Sequence, residues 1–165
     1  MSREREQLYA ELGNEVRASQ RATDVVDELI CQLLGVNRTD ARCLDILDQH
    51  GSMSAGDLAE ASRLSTGAIT AVIDRLERVG LARRVPDPSD RRRVLVELTP
   101  KADAATIELM VEPMRRLYKP MAEDYTEEEL RLILDFTRRG RELQEHHAEW
   151  LRERLNAQSE RTSAP

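Results

Sequence analysis

The chain has 165 residues, 40% of them hydrophobic, 34% charged and only 3% aromatic, which suits one globular domain with a core of Leu, Val, Ile, Ala and Met rather than a disordered chain. No apolar run approaches the roughly 20 residues that span a bilayer, and the N-terminus MSREREQ carries no signal-peptide pattern, so a cytoplasmic protein with no membrane partner is expected. A net charge of -6 argues against a uniformly basic nucleic-acid binder.

The first predicted element is a long helix from Leu8 to Leu34. Leu8, Leu12, Val16, Ala22, Val26, Leu29 and Leu33 recur mostly at intervals of three or four and form one stripe. Gly35 is placed to stop it, and Asn37 or Thr39 to cap a shorter helix through Ala41, Leu44, Ile46 and Leu47 that ends near His50-Gly51. Ser54 caps the next helix, with Asp57 in its first turn. The chain turns at Ser62-Arg63-Leu64, and Ser65 opens a helix to Val79 whose Ile69, Val72, Ile73 and Leu76 share a face. Gly80 closes it in a left-handed conformation.

Beyond Gly80 the period shortens. Leu81–Val85 and Arg93–Leu98 are β-rich runs around the turn formers Pro86-Asp87-Pro88-Ser89-Asp90-Arg91-Arg92, which predicts a β-hairpin. Thr99-Pro100 restarts helix, with Thr as cap and Pro at the first helical position. A stripe of Ile107, Met110, Met114, Leu117 and Met121 follows, in which Pro113 and Pro120 predict kinks or breaks. Thr126 and Glu129 form a capping box for a last helix through Leu130, Ile133, Leu134, Leu143, Trp150 and Leu151. The polar end is expected to fray. The expected division is 1–36, 37–100, 101–157 and a flexible tail 158–165.

The charge is unevenly spread. Residues 62–101 hold nine Lys or Arg against five acids, a local balance of +4 that leaves -10 elsewhere. A basic segment in an acidic protein can meet phosphate locally while the remainder stays soluble. The helix 65–79 buries one face and offers Ser65, Thr66, Gly67, Thr70, Ala71, Asp74, Arg75 and Arg78 on the other. The start of that surface is small and carries hydroxyls, so it can enter a major groove about 12 Å wide. Arg75 is in position to reach guanine or phosphate. The hairpin tip, with Arg91, Arg92 and Arg93, extends to the side, where arginines favour a narrow minor groove. Helix, turn, helix and basic hairpin in this order make a winged helix-turn-helix in a mainly α protein with a small β-hairpin wing.

The stretch SMSAGDLAEASRLSTGAITAVIDRLERVGLARRVPDPSDRRRVLVELTPKA resembles the MarR family of transcription regulators, above all in the LERVGLARR step and the DPSDRR wing, and the likeness extends over about Leu8 to Leu155. The resemblance implies an intertwined homodimer in which N- and C-terminal helices of two copies interlock and each copy presents a winged domain to a pseudo-palindromic operator in double-stranded DNA. It places Ser65, Thr66, Thr70 and Arg75 on the recognition helix and Arg91 and Arg92 on the wing. It makes Asp90 an acid that orients an arginine, and gives Asp74 a similar holding role. The long apolar stripes at both ends support a dimer independently, because a winged unit alone is too small to cover them. The resemblance also implies release of a repressor by a small aromatic or phenolic ligand, for which His50 and Met110 are the candidate contacts.

Rival readings have less to hold. Cys31 lies late in an apolar helix beside Glu28 and Leu33, and Cys43 lies among Ala41, Leu44 and Ile46, without the positive charge or helix N-terminus that activates a thiol, so redox sensing through Cys31 is disfavoured. His146 and His147 are about 100° apart on a helix and do not converge on a metal. No glycine-rich phosphate loop or Cys-His pair is present, so neither a cofactor nor a catalytic site is expected. A winged module that binds protein would carry exposed apolar or acidic residues in place of Arg91–Arg93.

Overall fold

The computed structural model describes residues 2–90 and 92–162. Its first helix, α1 (Arg3–Leu34), begins under a cap in which Ser2 accepts from the Arg5 amide, and ends where Gly35 turns left-handed at φ 67°. The sequence pattern starts this helix at Leu8; the five polar residues before it extend the helix without contributing to the stripe. Asn37 caps α2 (Arg38–His50) in a full capping box with Asp40, so two orphan amides of the helix start are satisfied reciprocally.

A two-residue strand, β1 (Met53–Ser54), follows, then α3 (Ala55–Ser62), capped by Ser54 and closed by Arg63. Arg63 stands at φ 59°, a left-handed position more often given to glycine. The Ser65 hydroxyl accepts from the Ala68 amide to start α4 (Thr66–Val79), which Gly80 closes at φ 76°. The hairpin is β2 (Ala82–Pro86) and β3 (Val94–Leu98), antiparallel with Ala82 opposite Leu98 and Pro86 opposite Val94. Met53 pairs with Val96 on the other edge of β3, giving the order β1-β3-β2. A strand of two residues has no alternation to read, so β1 is invisible in the sequence.

These elements enclose one core. Leu47 from α2, Leu58 from α3, Ile69, Val72, Ile73 and Leu76 from α4, Leu81, and Val96 from β3 are all buried. Helix α4 therefore presents its whole apolar face inward and its opposite face to solvent.

Thr99 caps α5 (Pro100–Thr106), with Pro100 in the first turn. A π-helical turn, Ile107–Val111, continues into α6 (Glu112–Glu123). Of the kink or break expected at Pro113, the break does not occur: the helix continues, with a π-helical turn before the proline. Proline lacks an amide proton and its ring collides with the carbonyl four residues back; here the Glu112 amide bonds Ile107 five residues back, and the wider turn lies immediately upstream of the ring. Pro120 also sits within α6 without ending it. The last helix, α7 (Glu127–Thr162), starts at the Thr126–Glu129 capping box and continues past Gln158, where fraying was expected. No helix among the described residues is long and apolar enough to cross a membrane.

The chain divides into two compact units, residues 1–113 and 114–165. Helix α1 lies in the unit that contains the sheet, where Cys31 is buried and Arg38 of α2 bonds Asp24 of α1. Both units expose large apolar side chains. Leu8, Leu12, Val16, Val26, Leu29 and Leu33 do so on α1, and Leu117, Met121, Leu130, Ile133, Leu143 and Leu151 on α6 and α7. Between residues 37 and 99, by contrast, Val94 is the single exposed large hydrophobic among the described residues.

Candidate nucleic-acid interface

Burial of Ile69, Val72, Ile73 and Leu76 turns Thr66, Gly67, Thr70, Ala71, Asp74 and Arg78 outward. The Thr70 hydroxyl donates to the Thr66 carbonyl at 2.9 Å, which fixes its rotamer and leaves its oxygen free to accept. Ser65, also exposed, spends its oxygen on the helix cap. The N-terminal half of α4 is thus a low-relief surface of small residues and hydroxyls.

Arg75 is held elsewhere. Its guanidinium forks onto Asp40 of α2, with Nε 3.2 and 3.1 Å from the two carboxylate oxygens and Nη2 2.6 Å from Oδ1. Asp40 is 1% exposed, and its hydrogen bonds hold the Arg75 pKa above the ordinary guanidinium value. Expected on the recognition surface from spacing and from the family resemblance, the Arg75 side chain is instead engaged with the buried Asp40 of α2.

Asp74 accepts from Arg84 Nη2 at 2.8 Å, and Arg84 also pairs with Glu77, whose carboxylate takes the Arg84 amide at 2.9 Å. The acid on the outward face is therefore neutralised by β2. Lys101 Nζ donates to the Val79 carbonyl at 2.7 Å and the Thr99 hydroxyl to the Gly80 carbonyl at 2.7 Å, satisfying acceptors at the C-terminal end of α4.

The wing is organised by Asp87, a residue that sequence reading treated only as a turn former. It is buried. Its Oδ1 accepts from the Ser89 amide and hydroxyl, both at 2.7 Å, and from the Asp90 amide at 3.4 Å, while its own amide donates to the Arg93 carbonyl at 3.0 Å. These bonds, led by the Ser89 hydroxyl, hold its carboxyl below the usual carboxylate range. The Asp-x-Ser spacing was the local signal available, since Asp side chains bond their own backbone two residues on. Asp90 accepts from the Arg92 amide at 2.9 Å, so it shapes the turn through backbone, and among the described residues no arginine side chain is bonded to it. Arg93 approaches Asp57 of α3 at 3.4 Å. Arg91 lies outside the described residues.

Ion pairing sorts the basic residues. Arg75, Arg83, Arg84 and Arg93 each have a carboxylate partner. Arg63, Arg78 and Arg92 have no ion pair among the described residues, and all three are exposed. Outside this surface, His50 is exposed at the end of α2 and Met110 is half exposed in the π-helical turn. Cys31 and Cys43 are free and buried. Burial, then Glu28 for Cys31, pushes both thiols above their ordinary pKa, opposite to what a reactive thiolate needs.

The surface so described coincides with a known sequence pattern: the profile of the MarR family matches residues 36–94. An HTH-type transcriptional regulator of Bacillus subtilis, YcgE, is 37% identical over 148 residues, which is 89% of this chain and 90% of that protein. The chain belongs to the MarR family. The transcriptional repressor NicR of Pseudomonas putida is 32% identical over 103 residues, covering 61% of this chain and 63% of NicR. Among solved structures, a MarR family protein from Bacillus stearothermophilus superposes with a TM-score of 0.60 at 25% identity, covering 87% of this chain and 97% of the other. The fold is the winged helix-turn-helix of MarR transcription regulators, with α3 and α4 as its helix pair and the β2–β3 hairpin as its wing.

Proposed function

We propose that this MarR-family regulator binds a pseudo-palindromic duplex as a homodimer and represses transcription by occluding a promoter. The observation that carries the reading is the start of α4. Its outward face is small and bears hydroxyls, with no large apolar side chain, and it stands beside a wing whose Arg92 has no ion pair among the described residues. Such a face enters a major groove, with Thr66 and Thr70 serving bases or phosphates and Ala71 meeting a thymine methyl. Ser65 sets the helix start, whose backbone amides suit a phosphate, and Gly67 keeps the surface low. Arg92 and Arg91 grip alongside. Arg93 joins them by leaving Asp57, an exposed pair worth under about 1 kcal/mol.

Asp74 and Asp90 act by holding Arg84 and the wing backbone. Arg75 is withdrawn from the groove contacts, because its guanidinium is committed to Asp40. The near absence of exposed large hydrophobics between residues 37 and 99 speaks against a protein-binding wing. Their abundance on α1, α6 and α7 supports a dimer built from those helices, since exposed apolar patches of this extent mark interaction surfaces. The repressor's name borne by the Pseudomonas relative supports repression. His50 and Met110, both open to solvent, offer no enclosed seat for a small aromatic ligand within one chain.

Selection of bound duplexes from a random pool tests the proposal. Inverted half-sites about one helical turn apart are expected. Thr70→Glu, which sets a carboxylate against the groove floor, should abolish the enrichment and leave the dimer intact by sizing. A monomer that enriches no duplex refutes the reading.

A further inference from the structure

The Asp40–Arg75 pair has a geometry that the DNA-reading surface does not require and that stability alone does not explain. A carboxylate taken out of water costs desolvation energy that a close partner roughly offsets, and an apolar pair of similar volume often does as well. The remainder of the α4 interface, Ile69, Val72, Ile73 and Leu76, is apolar and buried. Apolar contact is non-directional and tolerates rotation and sliding of a helix. A planar guanidinium engaged by two of its nitrogens tolerates neither.

The carboxylate is itself immobilised. Asp40 sits in the first turn of α2, its Oδ2 accepting from the Asn37 amide at 3.2 Å while Asn37 Oδ1 accepts from the Asp40 amide at 3.0 Å. Two residues earlier, Arg38 Nη2 donates to the Asp24 carbonyl at 3.0 Å and to its Oδ1 at 3.1 Å. A polar chain thus runs from α1, through the first turn of α2, to the middle of α4. We propose that Asp40 and Arg75 are positioning residues that lock the rotation and height of the recognition helix to the α1–α2 joint, so that the placement of α1 sets how α4 meets DNA.

This inference rests on the DNA-binding reading above. It makes Asp40, which cannot touch a duplex, as consequential for specific binding as a surface residue. Asp40→Asn keeps the shape and one acceptor, Arg75→Lys keeps the charge and loses the fork, and Arg75→Gln loses both. Affinities are measured by fluorescence anisotropy on the selected duplex and on a random-sequence duplex at several salt concentrations, with sizing and circular dichroism confirming a folded chain. Each of Asp40→Asn and Arg75→Gln is expected to weaken specific binding about tenfold. Binding to the random duplex and the salt slope should be unchanged, and the double variant should be no weaker than the worse single. Arg75→Lys should fall between.

The opposite pattern overturns the proposal: Arg75→Gln flattens the salt slope by about one unit per protomer, while Asp40→Asn leaves binding unchanged or tightens it. That would make Arg75 a phosphate contact. Amide hydrogen exchange on the free protein separates this test from the DNA-binding reading. Asp40→Asn should speed exchange across α4 and leave α7 unaltered. Unchanged exchange in α4 refutes the strut even if no duplex is ever selected, and faster exchange supports it on the same terms.

Discussion

Arg92 and Arg83 lie on the same wing and differ in one respect. The Arg83 guanidinium is held by Glu97, with Nη2 2.6 Å and Nε 2.8 Å from Oε1, whereas the Arg92 guanidinium has no partner among the described residues and only its backbone is engaged, through Asp90. An arginine already neutralised within the protein releases few counterions on reaching DNA; a free one releases its full share. Each phosphate neutralised contributes about 0.9 to the slope of log affinity against log salt. Arg92→Ala in both copies of a dimer should therefore flatten that slope by about 1.8. Between about 50 and 200 mM salt, wild-type affinity should then fall about tenfold more than that of the variant. Arg83→Ala should leave the slope where it is. Anisotropy titrations of a labelled duplex at four or five salt concentrations measure both. Equal slopes for wild type and Arg92→Ala would remove the wing from the contact, and flattening by Arg83→Ala would show that pairing in the free protein is no guide to which arginines meet phosphate.

Asp87→Asn should loosen the wing, seen as faster hydrogen exchange at the Ser89 and Asp90 amides, and weaken binding to duplex. Because the Asp87 carboxyl titrates below the free value of about 3.9, its contribution is complete above that pH and is lost as pH falls through the lowered value. Wing exchange that already quickens on acidification to about pH 6 would contradict this assignment. Gly80→Ala should cost about 1 kcal/mol in thermal unfolding, from the positive φ alone, because a Cβ there meets only the flexible Lys101 side chain at 3.7 Å. Cys31 and Cys43 should react with a disulfide reagent far more slowly in the native protein than in denaturant at neutral pH; fast native labelling of Cys31 would revive the redox reading.

Local features were legible in the sequence because their causes are local. The serines at 54 and 65, Asn37, Thr99 and Thr126 mark helix starts through bonds to amides three residues away, and Gly35 and Gly80 mark stops through their own backbone freedom. The burial of Ile69, Val72, Ile73 and Leu76 follows from spacing, and with it the outward face of α4. Three decisions needed the folded chain. The partner of Arg75 lies 35 residues away on another helix, and no periodicity links the two positions. Strand β1 exists only because Met53 and Ser54 find the free edge of β3. The helix continues through Pro113 because the turn before it widens, an adjustment that hydrophobic spacing does not encode. Which arginines face water and which are spent on carboxylates is likewise settled by neighbours brought together in space, since a charge in the sequence has a sign but no partner until the chain folds.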